Sequence, residues 1–153
     1  MDRRRGISMR AVSGTWLLWA LLSAAFAALT AIFAKIGVES TNSDFATLVR
    51  TFVIVIVLTL IIVATGQWQP PSTLSRKTVL FLVLSGLATG ASWICYFRAL
   101  KLGDAARVAP IDKLSVVLVA IFGVVFLGEK LSLLNTIGIS LIALGAVFVA
   151  VSA

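Results

Sequence analysis

The sequence predicts an all-α polytopic membrane protein, a bundle of five transmembrane helices. Of its 153 residues, 60% are hydrophobic and only 12% are charged, whereas soluble domains carry about 25% charged residues. The mean hydropathy is +1.10. The apolar residues form five runs with short polar segments between them. Lipid, rather than water, must therefore cover most of the surface of this chain.

Three of the runs can cross a bilayer without carrying a charge. They comprise residues 16–34, 78–97 and 131–153, and each has about the 20 residues that ~30 Å of hydrocarbon requires. The other two runs, 51–65 and 114–128, have 15 residues each, or about 22 Å of helix. To span, the second must reach back to about Phe45 and include Arg50, and the fourth must reach back to about Val108 and include Asp112 and Lys113.

These limits divide the chain into a basic tail, residues 1–14, and a membrane domain, residues 15–153. The five helices are predicted near residues 15–36, 45–65, 78–99, 107–127 and 133–152. The connections between them are short, and Ser43 or Asp44 is the predicted N-cap of the second helix.

The basic residues give a weak orientation signal. Seven lie on one side of the membrane, and five lie on the other, Lys35, Arg50, Arg98, Lys101 and Arg107. The cluster at positions 3, 4, 5 and 10 favours a cytoplasmic N-terminus in the inner or plasma membrane. Without this tail the count reverses to three against five. Either both orientations occur, or the five far-side cations serve another purpose.

The third span carries a polar stripe. At 3.6 residues per turn, its hydroxyl side chains fall within about 60° of one another, with Trp93 beside them; they are Ser85, Thr89, Ser92 and Tyr96. We expect this face to line a substrate pathway inside the bundle. The alternative is ordinary hydrogen bonding between helices. Ser23 and Thr30 form a thinner stripe on the first span.

Charges inside the spans mark the same pathway. Charged side chains within a membrane usually face the bundle interior and pair there. Arg50 has no acid three or four residues away, so Asp112 is predicted to tether Arg50 or Arg98 while Lys113 faces the substrate. Pro110 removes a backbone donor and loosens the first turns of the fourth helix. Alternatively, Lys113 snorkels to the headgroups and Asp112 caps a helix that begins at Pro110.

Three segments are similar to one known membrane family. They are FAKIGVE at the end of the first span, YFRALKLGDAARVAPIDKLSVVLVAIFGVVFLGEKLS across the third and fourth, and IGISLIALGAV in the fifth. The chain resembles the EamA domain of the drug/metabolite transporter superfamily, of the small five-helix bacterial type. The resemblance implies one half of a ten-helix inverted-repeat transporter. It also implies secondary transport, as an exporter, of a small metabolite or drug-like compound by alternating access.

Half a transporter needs a second half. With an odd number of spans, two halves are related by inversion only if their N-termini face opposite sides. Gly138 and Gly145 lie on one face of the last span and permit close helix approach, and the related small multidrug resistance transporters dimerise through a similar pair. We expect a homodimer, in an antiparallel arrangement, or pairing with a second five-helix chain. The alternative is packing within the chain, which is the interpretation we give to Gly86 and Gly90.

Other classes are disfavoured by composition. The chain has no His and a single Cys, Cys95, and it offers no metal cluster or nucleophile–base pair, so neither an enzyme nor a cofactor is expected. The net charge of +7 lies in the segments that flank the spans, which argues against nucleic acid as a partner. The excess of positive charge favours an anionic or zwitterionic substrate. A non-transporting scaffold subunit and half of a flippase for lipid-linked sugars remain as alternatives.

Overall fold

A computed structural model describes the backbone of residues 3–151 and the side chains of residues 15–151. Every regular element in this part of the chain is helical. The elements are α1 (Arg3–Val38), α2 (Ser43–Ala64), a 3₁₀ turn (Pro71–Thr73), α3 (Arg76–Leu102), α4 (Ala105–Asp112), α5 (Ser115–Leu127) and α6 (Leu133–Val151).

Five stretches of these helices are long and apolar enough to cross a membrane. They are Thr15–Val38, Ser43–Ala64, Arg76–Leu102, Ala105–Leu127 and Leu133–Val151. The predicted all-α fold with five spans is confirmed. The largest difference from the predicted limits is at the end of the third span, which reaches residue 102 rather than 99.

Side-chain caps start three of the helices. Asn42 accepts hydrogen bonds from the backbone N–H groups of Asp44 and Phe45, at 2.9 and 3.2 Å. The prediction of Ser43 or Asp44 as this cap was wrong, because Asn42 keeps an extended backbone while Ser43 is already helical. Ser75 caps α3, and Ser132 does the same at the start of α6.

The fourth span is broken at Lys113 and Leu114, so it consists of two helices rather than the single one predicted. The Leu114 N–H donates to the Ile111 carbonyl at 3.0 Å, and the Val116 N–H donates to the Lys113 carbonyl at 3.0 Å. Both hydrogen bonds join residues three apart, as in a 3₁₀-helix, instead of the four apart of an α-helix. Asp112 is therefore the last residue of α4. The alternative in which it caps a helix beginning at Pro110 was wrong.

The helices pack mainly at one end of the bundle. Helix α3 contacts α1, α2 and α4, while α6 lies against α4 and α5. A buried cluster of Ala34, Val38, Phe97 and Leu100 joins the end of α1 to the end of α3, and we call this side the packed end. The first half of α3 is exposed throughout. Large apolar side chains on all five spans are likewise exposed, as a lipid-facing surface requires.

Gly86 and Gly90 lie in that exposed half of α3. A Cβ added at either position would meet no atom within 4 Å, apart from the backbone of the helix itself. The interpretation of this pair as packing within the chain was therefore wrong. The reason is that this part of α3 is exposed rather than packed against another described helix.

Candidate functional site

The predicted tether between Asp112 and an arginine is absent, and each charge has another partner. Asp112 pairs with its neighbour, since its Oδ2 lies 2.9 Å from Lys113 Nζ. Arg98 instead pairs with Asp44, with Nε to Oδ1 at 3.1 Å and Nη2 to Oδ2 at 2.6 Å. The side chain of Arg50 lies over the ring of Trp93, with the guanidinium carbon 2.8 Å from the ring centroid.

Three further cations at the packed end bind backbone carbonyls of other segments. Lys35 Nζ donates to the carbonyls of Leu100 and Gly103, at 2.8 and 2.9 Å, and so caps the end of α3. Lys101 Nζ donates to the Thr41 carbonyl at 2.6 Å, and Arg107 Nη2 donates to the Ala150 carbonyl at 3.2 Å.

All five far-side cations thus have contacts within the chain. On the opposite side, the side chains of Arg76, Lys77 and Lys130 bind no other described residue. Of the two explanations for the weak charge bias, this geometry favours a structural purpose for the far-side cations.

A polar cavity of about 380 Å³ lies among α1, α2, α3 and the break between α4 and α5. It brings together residues of four spans that the sequence singled out separately. Its lining is Ser23, Phe26, Ala27, Thr30, Arg50, Ser92, Trp93, Tyr96, Asp112 and Lys113. Hydroxyl groups, two cations and one carboxylate therefore share a single space within the membrane-spanning part of the chain.

A larger and mostly apolar cavity lies beside it, between α1, α2 and the end of α3. Its volume is about 560 Å³, and it is lined by Thr30, Phe33, Ala34, Gly37, Thr41, Phe45, Ala46, Val49, Arg50 and Phe97. Thr30 and Arg50 belong to both linings. Both volumes fall within the ~300–1,000 Å³ range of small-molecule sites.

Not every predicted pathway residue lines these two cavities. Ser85 and Thr89 stand on the exposed half of α3, where the Thr89 hydroxyl donates to the Ser85 carbonyl at 2.9 Å. Arg98 is held by Asp44 at the packed end. Pro110 lines an adjoining space between α1 and α4, together with Tyr96 and Lys113.

The apolar cavity and the partner of Arg98 were not predicted from the sequence. Phe33, Phe45 and Val49 resemble lipid-facing residues in an apolar run, so no sequence signal marks them. The ion pair of Asp44 with Arg98 could have been predicted. The two residues have opposite charges, and they lie at the start of the second span and the end of the third, on the same side of the membrane.

The glycines of the last span, Gly138 and Gly145, have open space where a side chain would stand. A Cβ at Gly138 or Gly145 would meet no atom within 4 Å, apart from the backbone of α6 itself. These two glycines therefore do not pack closely against other described helices of the same chain.

Comparison with known proteins agrees with this architecture. The EamA-like transporter family model matches residues 14–151. A protein of a Sinorhizobium species, named "Uncharacterized transporter in cobO 3'region", is 69% identical over 140 residues, which cover 92% of this chain and 99% of that protein. No solved structure matches the chain. With five membrane spans and a family match over nearly its whole length, the chain is a multi-pass membrane transporter and belongs to the EamA-like transporter family.

Proposed function

We propose that this transporter exports a small metabolite or drug-like compound through the polar cavity, and that it works as a dimer by alternating access. One observation carries the proposal. The Asp112 and Lys113 side chains, inside a membrane span, remain 35% and 55% exposed. Lipid solvates such charges poorly, so charged residues within membranes face water-filled cavities or other protein. A cavity that is lined by these charges suits a passage that a second copy completes.

Transport needs no chemical step. It needs groups that bind and orient a solute and a part of the protein that can move. Hydroxyl groups and charges orient a solute, while the break after Asp112 lets α4 move relative to α5. We further propose that the N-terminus is cytoplasmic and that the protein resides in the inner or plasma membrane. Support comes from the cations at positions 3, 4, 5 and 10 and from the structural partners of the far-side cations.

The export proposal predicts a change in the medium of cells that overproduce the protein. Compared with an empty vector, the wild type should raise the extracellular level of one or a few compounds, measured by untargeted mass spectrometry. Lys113→Ala should reduce this increase at least tenfold at equal protein level, because its ammonium group lines the cavity. Lys77→Ala, which removes a lysine with no described partner, should leave the increase intact. An undiminished increase with Lys113→Ala would contradict the proposed pathway.

The dimer proposal places Gly138 and Gly145 at the contact between copies. Replacing both with leucine should separate the helices, cost about 1–3 kcal/mol of association free energy and leave monomers in detergent, as light scattering would measure. Leucine at Gly86 and Gly90, which likewise have open space where a side chain would stand, provides the matched control and should preserve the dimer. If both double variants dimerise as the wild type does, α6 is not the contact.

A further inference from the structure

We infer that Arg50 is the binding group for an oxyanion on the cargo, and that the cargo is an organic anion with an apolar body. This inference rests on the proposed function, since it names the class of compound that the cavity carries. It does not follow from the net charge of the chain, because most of the other cations near the site are already paired. It follows from the contacts of Arg50 and from its place between two unlike cavities.

Arg50 is a cation without a counter-ion among the described residues. The two ion pairs of this part of the chain join Arg98 to Asp44 and Lys113 to Asp112. Both nearby carboxylates are thereby occupied. The Nη1 atom of Arg50 is buried and has no hydrogen-bond partner. A buried donor on a charged group strongly favours an acceptor, and an anionic acceptor most of all.

The aromatic contacts of Arg50 hold its guanidinium in place. The guanidinium carbon lies over Trp93 at 2.8 Å from the ring centroid and 5.7 Å from that of Phe97. Because its N–H donors all lie in the guanidinium plane, stacking on a ring leaves the edge of the group for hydrogen bonding. A fixed planar fork is the geometry that binds a carboxylate or a phosphate through two parallel hydrogen bonds.

The charges that line the polar cavity favour a monoanion. Lys113 and Asp112 cancel each other, so Arg50 leaves one net positive charge in the lining. A cationic cargo would meet repulsion from Arg50. A neutral cargo would leave the charge of Arg50 without a counter-ion.

The neighbouring cavity indicates the rest of the molecule. Arg50 and Thr30 line both spaces, so a head group bound at Arg50 lies at the boundary between them. The larger cavity is lined by Phe33, Phe45 and Phe97, which suit an apolar group of the size of a phenyl ring. The chemistry is therefore that of an oxyanion head attached to an apolar body.

The test measures binding to the purified full-length protein at constant ionic strength. The probes are 3-phenylpropionate, its neutral amide, phenyl phosphate and inorganic phosphate, and the readout is the rise in melting temperature with ligand concentration. The wild type should bind phenylpropionate at least tenfold more tightly than the amide. Arg50→Gln should reduce that preference to less than twofold, while Arg76→Gln, which removes an arginine without a described partner, should keep it.

A second variant covers a failure of Arg50→Gln to fold. Arg50→Lys keeps the charge but loses the planar fork, and it should bind phenylpropionate at least threefold more weakly than the wild type. Tighter binding of phenyl phosphate than of phenylpropionate would support the oxyanion site and assign the head group to a phosphate ester. Equal binding of acid and amide by the wild type, an unchanged preference in Arg50→Gln, or unchanged phenylpropionate binding in Arg50→Lys would overturn the inference. Inorganic phosphate binding as tightly as the aromatic probes would overturn the apolar body.

The binding test separates this inference from the transport proposal. Binding of the acid through Arg50 by a protein that exports nothing would contradict transport and leave the anion site standing. Export that is unchanged in Arg50→Gln would leave transport standing and remove the anion site.

Discussion

Replacing Lys35 with methionine should lower the free energy of unfolding by about 2–3 kcal/mol, since two charge-assisted hydrogen bonds are lost. The Lys35 ammonium reaches from α1 to the carbonyls of Leu100 and Gly103. These carbonyls lie at the C-terminal end of α3, where no further turn supplies donors and where the helix dipole favours a cation. Methionine keeps the length and packing of the side chain but supplies no donor.

The control for this substitution is Lys77→Met, at the start of α3, the helix whose other end Lys35 contacts. It also removes one lysine, yet the Lys77 side chain binds no other described residue, so the expected change is within about 0.5 kcal/mol. Equilibrium denaturation in mixed micelles measures both variants on one scale. If the two variants lose the same stability, the contact of Lys35 with α3 contributes nothing, and the packed end is held by its apolar cluster alone.

The membrane spans could be predicted because lipid leaves the backbone little choice. Each apolar run must form a helix that satisfies its own hydrogen bonds, and its length must match the bilayer. This reasoning correctly extended the second span past Arg50 and the fourth past Asp112. It could not place the break after Asp112, because a proline fixes where a donor is missing but not how the neighbouring turns rearrange.

The partners of the charged residues could not be predicted, because they depend on how each helix is rotated about its axis. Arg50 has no acid three or four residues away along its helix, which correctly indicated a partner on another helix. That partner is the ring of Trp93 rather than a carboxylate. Asp112 instead forms an ion pair with the adjacent Lys113. Its carboxylate therefore needs no partner on another helix.

Only part of the candidate site could be predicted, because the sequence gives the face of a helix but not its contacts with other helices. Helical periodicity placed Ser85, Thr89, Ser92 and Tyr96 on one face of the third span. It carries no information on the depth at which neighbouring helices separate. Ser92 and Tyr96 reach the polar cavity, whereas the other two lie where α3 stands clear of the bundle.

If the polar cavity is a water-filled passage, cysteines placed at two serine positions of α3 should differ in reactivity. Ser92 lies ten residues before the end of α3, and Ser85 lies nine residues after its start, so both sit at similar depths from a membrane surface. Only Ser92 lines the cavity. As Cys95 is the single cysteine of the chain, Cys95→Ser gives a background in which Ser92→Cys or Ser85→Cys is the sole thiol.

The most direct measurement is the rate at which a charged, membrane-impermeant thiosulfonate reagent labels each cysteine in membrane fragments open on both sides. Such reagents need ionised thiol and water, both of which lipid excludes. In a water-filled passage, the cysteine at position 92 should react at least tenfold faster than the cysteine at position 85. A cysteine at position 92 that reacts no faster than one at position 85 would contradict a water-filled passage at this site.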